Sequence, residues 1–421
     1  MKKMIKPTII LGILAISIYT AYNNPFINRY RGFQNLIDTA HISPIFVKPH
    51  GEIFNITIPK EDRLSFDYNQ YLKDVRFVNL ETNSKSKFSV IDKILLTENR
   101  IIIVDFNSAK GVYIFNDKGK FINSIRPNKN FTDYRSVLTD FYDVAYDYNL
   151  DEIILHNQNQ NKTYHFDANG NFKNSSKEYI YFAHFVNLRN SKYFIYLNSF
   201  GGNEHIPKLA GSPLYIGLRD TKILRTVNGI HDVKTNVNYE INHNSSLSNS
   251  NNTLFYTPDF SDTVYQISGN PISVYPKLVI HYSGPNLNAS LKQQKKEDIN
   301  SFVRLTNTKK YYSFQGEVMS ANDSIYFIES YKKDQSGYFY STKTNNLIGG
   351  NLGSTYSGLN LVQLGYFSYP ITTFNSEFVS VLPRADLEKS NYILSPKFNV
   401  VLKNAKSTDN PTLVFYKIKE F

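Results

Sequence analysis

The 421-residue chain has no cysteine and no tryptophan. Without cysteine there is no disulfide, no thiolate zinc site, no iron–sulfur cluster and no thiol nucleophile. Lipid attachment through an N-terminal cysteine is excluded with them. Catalytic signatures are also missing: no H-E-x-x-H, no G-x-S-x-G, no P-loop and no G-x-G-x-x-G occurs. The nine His are dispersed, with no pair three or four residues apart, so no local metal motif is present. Gly349-Gly350-Asn351-Leu352-Gly353 is Gly-rich but lacks the Lys and the spacing of a phosphate cradle, and reads as a turn. What the chain has in quantity is 32 Tyr and 30 Phe. These residues suit half-buried strands better than exposed helices. With 41% hydrophobic and 20% charged residues, a buried core is feasible.

Basic residues number 47 against 36 acidic, a formal charge of +11. The charges are scattered, and the densest run is Lys292, Lys295 and Lys296. This reads as a solvated basic surface, and no nucleic acid is expected as a partner. Residues 1–22, MKKMIKPTIILGILAISIYTAY, join a basic start to the 14-residue apolar stretch Thr8–Ala21. That pattern matches a secretory signal, and it is short for a membrane span, which needs about 20 residues. Ala15-Ile16-Ser17 fits the small-x-small cleavage rule, whereas Ile18 and Tyr19 spoil the next position. The expectation is an exported, periplasmic or membrane-anchored protein. Residues 1–22 are then a signal peptide or an anchor (residues 5–22), and 23–46 a linker.

The main body repeats. Ile101–Ile125 (IIIVDFNSAKGVYIFNDKGKFINSI) and Glu152–Ser176 (EIILHNQNQNKTYHFDANGNFKNSS) align at a constant offset of 51. Ile102 meets Ile153, Tyr113 meets Tyr164, Phe115 meets Phe166, Gly119 meets Gly170 and Phe121 meets Phe172. Upstream the offset pairs Asp92 with Asp143. Each unit holds a buried apolar strand, a polar turn, and an alternating aromatic strand, Val112–Phe115 or Thr163–Phe166. Asn116-Asp117-Lys118-Gly119 and Asp167-Ala168-Asn169-Gly170 close hairpins, with Gly at the position needing positive φ. Asp167, Asn169 and Gly170 lack the remaining ligands of a calcium loop.

Weaker copies follow at Ser191–Leu197 with Leu214–Val227, at Leu254–Tyr275, and at Ser324–Glu329 with Tyr338–Ser341 and Asn346–Ile348. The last is Glu377–Leu382, Phe398–Leu402 and Thr412–Lys417. Six units of about 45–60 residues match radial four-stranded blades. The expected fold is therefore all-β: a six-bladed β-propeller over residues 47–421 with four-stranded blades, after the N-terminal signal or anchor segment. Either Ile53–Ile58 or Val75–Leu80 is placed to supply the last blade's missing strand and close the ring. Ala289–Leu305 carries one apolar stripe and reads as a helical insertion.

These residues resemble the secreted six-bladed propellers common in Bacteroidetes, relatives of NHL- and TolB-like propellers. The resemblance rests on Phe77–Glu81, the IDKI run Ile91–Ile94 leading to Ile101–Asp105, and Tyr113-Ile114-Phe115 with Gly119. It rests further on Ser261–Tyr265 and on NPTLVFYKIK from Asn410 to Lys419. It covers about residues 75–421 and implies an exported protein, but carries no activity over. Such proteins are often lipid-anchored; the missing Cys removes that implication here.

In a propeller the innermost strands line an axial channel, so equivalent residues of successive blades converge. Asp92 and Asp143 are such a pair, and His184, just before the third strand set, is a third member. Converging carboxylates suit a cation, sugar hydroxyls or a basic peptide, or acid–base chemistry; the plainer alternative is that each Asp caps a turn. Asp105 and Asp259 read as turn formers. A second candidate is the loop holding Asn198, Gly201, Gly202, Asn203 and His205, since binding often resides in loops on a rigid scaffold. The favoured function is a non-catalytic binding module in the cell envelope, its partner a glycan, a peptide or an envelope protein. No metal or cofactor is called for. The alternative is a propeller enzyme of lyase, lactonase or hydrolase type, with a metal or acid–base site on the channel.

Overall fold

The computed structural model describes residues 30–59, 69–126, 141–198, 202–209, 212–219, 224–230, 247–250, 253–258, 261–287, 311–331, 334–351, 369–382, 406 and 408–421. Strands Lys93–Leu96, Arg100–Asp105, Gly111–Asn116 and Phe121–Ile125 pair antiparallel as blade I. Blade II repeats the arrangement with Asp143–Asp147, Glu152–Asn157, Lys162–Asp167 and Phe172–Lys177. Blade III contains His184–Asn187, Tyr193–Leu197, Leu214–Leu218 and Leu224–Asn228; blade IV contains Leu247–Ser250, Thr253–Tyr256, Thr263–Gly269 and Ile272–Tyr282. Blade V is Tyr312–Ala321, Ser324–Tyr331, Asp334–Ser341 and Leu347–Asn351. Blade VI has Thr372–Phe374, Glu377–Leu382 and Thr412–Ile418, completed by Leu72–Asn79 from the start of the chain. The result is the six-bladed β-propeller expected from the repeats.

The offset of 51 is a register in space. Lys93 pairs with Val104 in blade I, and Val144 pairs with Leu155 in blade II. The outer pair keeps it too, Tyr113 facing Ser124 as Tyr164 faces Ser175, while the middle pair slips by one residue: Tyr113 faces Ile103 and Tyr164 faces Leu155. The repeated glycines also have one cause. Gly119 and Gly170 sit at φ +78° and +81°, and each turn presses on the preceding blade. A Cβ on Gly170 would lie 2.7 Å from Ile114 Cδ1 of blade I. One on Gly119 would lie 2.1 Å from the Asn79 oxygen of the strand that completes blade VI. The sequence repeat thus marks the contact between blades, including the contact that closes the ring.

The core is divided in the same way. The described residues form six apolar clusters, each between two consecutive blades, and one of them joins blade VI to blade I through Phe374, Val379, Leu413, Phe88, Tyr113 and Phe115. Middle strands are covered on both faces, which is why Ile101–Val104 is a continuous apolar run and is 0–3% exposed. Each such side chain contributes about 1.5–3 kcal/mol of burial. At the closure, Leu413 pairs with Val78 across an antiparallel ladder. Buried Asn410 latches it: Nδ2 donates to the Glu81 and Ser86 carbonyls at 3.0 Å each, and the backbone N–H donates to Thr82 Oγ1 at 2.8 Å.

Four-stranded blades are not universal. Ser43–Phe46 adds a fifth strand to blade III, parallel to Arg225–Asn228, and Phe54–Ile58 adds one to blade IV, parallel to Leu278–Tyr282. Of the two closure candidates, Val75–Leu80 is the one that closes the ring, while Ile53–Ile58 reinforces the outside of blade IV. The reason is edge chemistry: the free outer edge of a blade leaves N–H and C=O groups unpaired, and an added strand pairs them. The stretch expected as linker accordingly packs from Tyr30 onward, with Ile37 2% exposed. Residues 1–29, the helical insertion 289–305 and the strand Phe398–Leu402 lie outside the described residues; Glu377–Leu382 pairs directly with Thr412–Ile418.

Candidate functional site

A cavity of ≈ 310 Å³ lies on the axis, walled by residues of the inner strands and the segments flanking them, together with Phe106 at the end of the second strand of blade I. Asp92, Asp143 and His184, predicted to converge from three blades, all line it. Asn198 and His205 do not; they belong to the loop between the second and third strands of blade III.

Asp143 is buried and ties three blades together. Its Oδ1 accepts from Lys93 Nζ of blade I at 2.8 Å and from the Val144 N–H at 2.8 Å. Its Oδ2 accepts from the Phe185 N–H of blade III at 2.9 Å and lies 3.5 Å from His184 Nδ1. Burial alone would raise its pKa, but the Lys93 charge and the His184 and Lys93 hydrogen bonds outweigh it and hold the carboxyl well below the usual range. Asp92, its repeat partner, acts within its own blade, where Oδ2 accepts from the Phe106 N–H at 2.7 Å. Asp105 is the turn former expected: it accepts from the N–H groups of Ser89, Val90, Ser108 and Ala109 at 2.8–3.1 Å. Asp259 lies outside the described residues.

The cavity also holds residues that the repeat did not identify. Lys93 follows Asp92 directly, and its pairing with Asp143 is invisible until blades I and II are adjacent. Glu317 is the larger omission. The inner strand of blade V loses register between Phe314 and Val318, where four steps of chain span the two between Glu329 and Phe327. Gly316, at φ +87°, turns the bulge, and Glu317 comes to line the cavity. Bulges of this kind re-aim a side chain. The polar interruption Gln315-Gly316-Glu317 in an apolar stretch was the available signal. Burial pushes the Glu317 carboxyl up, with no compensating partner among the described residues. Tyr369, Tyr148, Tyr146 and Phe106 add aromatic wall. Val90 and Tyr142, which precede the inner strands of blades I and II, are 44% and 47% exposed.

The second candidate is a packed loop. Asn198 Nδ2 donates to the Ser212 carbonyl at 2.9 Å, and His205 Nε2 lies 2.7 Å from the Tyr179 carbonyl. The His205 ring stacks on Tyr30 at 3.9 Å, and its burial lowers its pKa. His205 holds the N-terminal segment against blade III, and Asn198 pins the loop of blade III to itself.

A third polar cluster, between blades II and III, resembles a Ser-His-Glu relay: His165 Nε2 lies 3.1 Å from Ser176 Oγ, and Nδ1 lies 3.8 Å from Glu152 Oε2. Arg219 Nη2 stands 2.6 Å from the same Nδ1. A guanidinium only donates, so Nδ1 accepts and the proton sits on Nε2, which leaves His165 no lone pair facing Ser176. Among the described residues no three His, Asp or Glu lie close enough to share a metal ion, and no helix is long and apolar enough to cross a membrane.

The fold places the chain among known structures. A Bacteroides fragilis protein, named for its expected export, superposes with a TM-score of 0.66 at 16% identity, over 87% of this chain and 100% of that one. A DUF4221 family member from Bacteroides vulgatus gives 0.48 at 11% identity, over 83% and 98%. The first likeness bears on fold alone. No match was found among curated proteins. The family profile described as domain of unknown function DUF4934 matches residues 52–417, all six blades with the reinforcing strand Phe54–Ile58 and the closing strand Leu72–Asn79, and the chain belongs to that family.

Proposed function

We propose that the protein is an exported, non-catalytic binding module that takes a ligand into the axial cavity. The observation that carries this reading is the cavity itself. Side chains 41 to 225 residues apart in sequence, Asp92, Asp143, His184 and Glu317, meet there in ≈ 310 Å³. That volume and the mixture of aromatic wall with a few polar groups suit a small-molecule or side-chain-sized ligand. Asp143 is held by Lys93, His184 and two backbone amides, so it serves as a fixed element of the wall rather than as a proton donor. A glycan or a peptide is the expected ligand class.

Export is supported by the basic and apolar pattern of residues 1–22, and by the likeness to a protein named for its export. N-terminal sequencing of the protein recovered from the cell envelope tests it. A start after Ser17 indicates a cleaved signal, an intact Met1 in the membrane fraction indicates an anchor, and recovery from the cytoplasm refutes export. Binding is tested by thermal unfolding against neutral oligosaccharides, short peptides and divalent cations. A ligand at 100 times its Kd adds about 2.7 kcal/mol to the folded state. A rise with a glycan or peptide that is lost in Phe106→Ala supports the cavity, and no rise with any ligand refutes it.

A further inference from the structure

The protein as a whole carries +11, yet its axial cavity is acidic: Asp92, Asp143 and Glu317 face Lys93 and His184. The two basic groups are already committed. Lys93 Nζ is 2.8 Å from Asp143 and His184 Nδ1 is 3.5 Å from it. Asp92 is engaged by the Phe106 N–H at 2.7 Å. That leaves Glu317, which forms no ion pair and no hydrogen bond among the described residues. Glu317 is the cavity carboxylate with neither an ion pair nor a hydrogen bond among the described residues to answer it, and a cation would supply one.

The placement of Glu317 is a built feature. An uninterrupted inner strand would have run on in register with Ser324–Tyr331; instead two extra residues, with Gly316 at positive φ, interrupt the register where Glu317 lines the cavity. A desolvated carboxylate without a partner destabilises the fold, and a bulge interrupts the ladder. Such costs persist where a site needs them. The neighbouring wall is aromatic: Tyr369 and Phe106 line the same cavity, as does Tyr148, whose ring already carries the Arg189 guanidinium 4.6 Å from its centroid. Tyr369 is close enough to Glu317 that, after burial, the carboxylate charge adds to the rise of its phenol pKa. A carboxylate beside aromatic faces is the environment that selects an ammonium group over a neutral polar one.

We propose that the axial cavity binds a primary ammonium group on a short stem, with Glu317 as its counter-ion and the Tyr369 and Phe106 rings as its walls. This rests on the cavity being the ligand site. The ammonium has two sources of matching size, an amino sugar and a lysine side chain of a peptide, and matched probes separate them. The wild-type protein is titrated calorimetrically at pH 7.5 with glucosamine and with N-acetylglucosamine, and then with Nα-acetyl-lysine methylamide and its Nε-acetylated form. Each pair differs in the charge of one nitrogen.

The expected result is that the charged member of at least one pair binds at least tenfold tighter than its acetylated partner. Glu317→Gln then abolishes that preference, while its thermal midpoint stays equal to or above that of the wild type, because the variant removes a desolvated charge. Preference within the glucosamine pair identifies an amino sugar, and preference within the lysine pair a peptide side chain. Equal binding of acetylated and charged probes overturns the proposal, as does an unchanged preference in Glu317→Gln, or no binding of either amine. Neutral glycans or peptides that still bind in a Phe106-dependent way would leave the cavity as the ligand site while removing the ammonium. Failure of every ligand would remove both.

Discussion

Replacing three positive-φ glycines with alanine tests whether the repeat glycine is an inter-blade contact. Gly51, Gly119 and Gly170 share a left-handed backbone, at φ +69°, +78° and +81°, so each Gly→Ala change carries the same conformational strain. That strain is roughly 1–2 kcal/mol. They differ in what the new methyl meets. Nothing lies within 4 Å at Gly51; at Gly170 the obstacle is the tip of Ile114 at 2.7 Å; at Gly119 it is the backbone oxygen of Asn79 at 2.1 Å. A side-chain tip can rotate away, whereas Asn79 ends the strand that closes the ring, and moving it disturbs the pairing with Thr412. Overpacking adds about 1–3 kcal/mol. The expected losses are therefore about 1–2 kcal/mol for Gly51→Ala, intermediate for Gly170→Ala and about 2–5 kcal/mol for Gly119→Ala. Urea unfolding followed by circular dichroism measures all three, the change appearing in the midpoint at constant slope. If Gly119→Ala costs no more than Gly51→Ala, the turn does not bear on the closing strand and the explanation of the repeat is wrong.

Asp143→Asn breaks a buried ion pair while keeping the side chain's shape, and is expected to cost about 3–5 kcal/mol at pH 7 in urea unfolding. The folded-state pKa of Asp143 is depressed, so its contribution is present above the unfolded value of about 3.9 and is lost as pH falls below it. The gap between wild type and Asp143→Asn should accordingly narrow in acid; a gap independent of pH would contradict the ion-pair account. Asn410→Ala leaves the Ser86 carbonyl at the closure without its donor, while the Glu81 carbonyl keeps Ser86 Oγ at 2.7 Å, so the expected cost is about 1–3 kcal/mol for the one buried group left unsatisfied. Its signature is faster urea-induced unfolding, and an unaltered unfolding rate would show that the latch is unimportant. Lys343→Ala removes a 2.8 Å ion pair to Glu420 whose partners are 59% and 62% exposed, and the melting temperature should not change measurably.

The sequence by itself determined the blade and its multiplication. A blade is written within about 50 residues: the apolar run of Ile101–Val104, the aromatic alternation of Val112–Phe115 and the turn glycine at 119 are all short-range patterns of burial and backbone conformation, and they recur at Glu152–Gly170. That a strand from before Asp92 closes the ring was legible for the same reason, but not which one: Ile53–Ile58 and Val75–Leu80 alternate alike, and only the pairing with Thr412–Ile418 assigns closure to the second. The convergence of Asp92, Asp143 and His184 on the axis followed from equivalence between units. Tertiary structure alone decided what those residues meet. Lys93 reaches Asp143 across a blade boundary, and Glu317 enters the cavity through a bulge in a strand 225 residues after Asp92. Asn198 and His205, which the loop composition offered as a site, are instead absorbed in packing against Tyr179, Ser212 and Tyr30. Periodicity records which face of each strand is buried, because that is a local property of every strand. It holds no record of which polar side chains from separate blades share a cavity, because that depends on how the blades are rotated against one another around the ring.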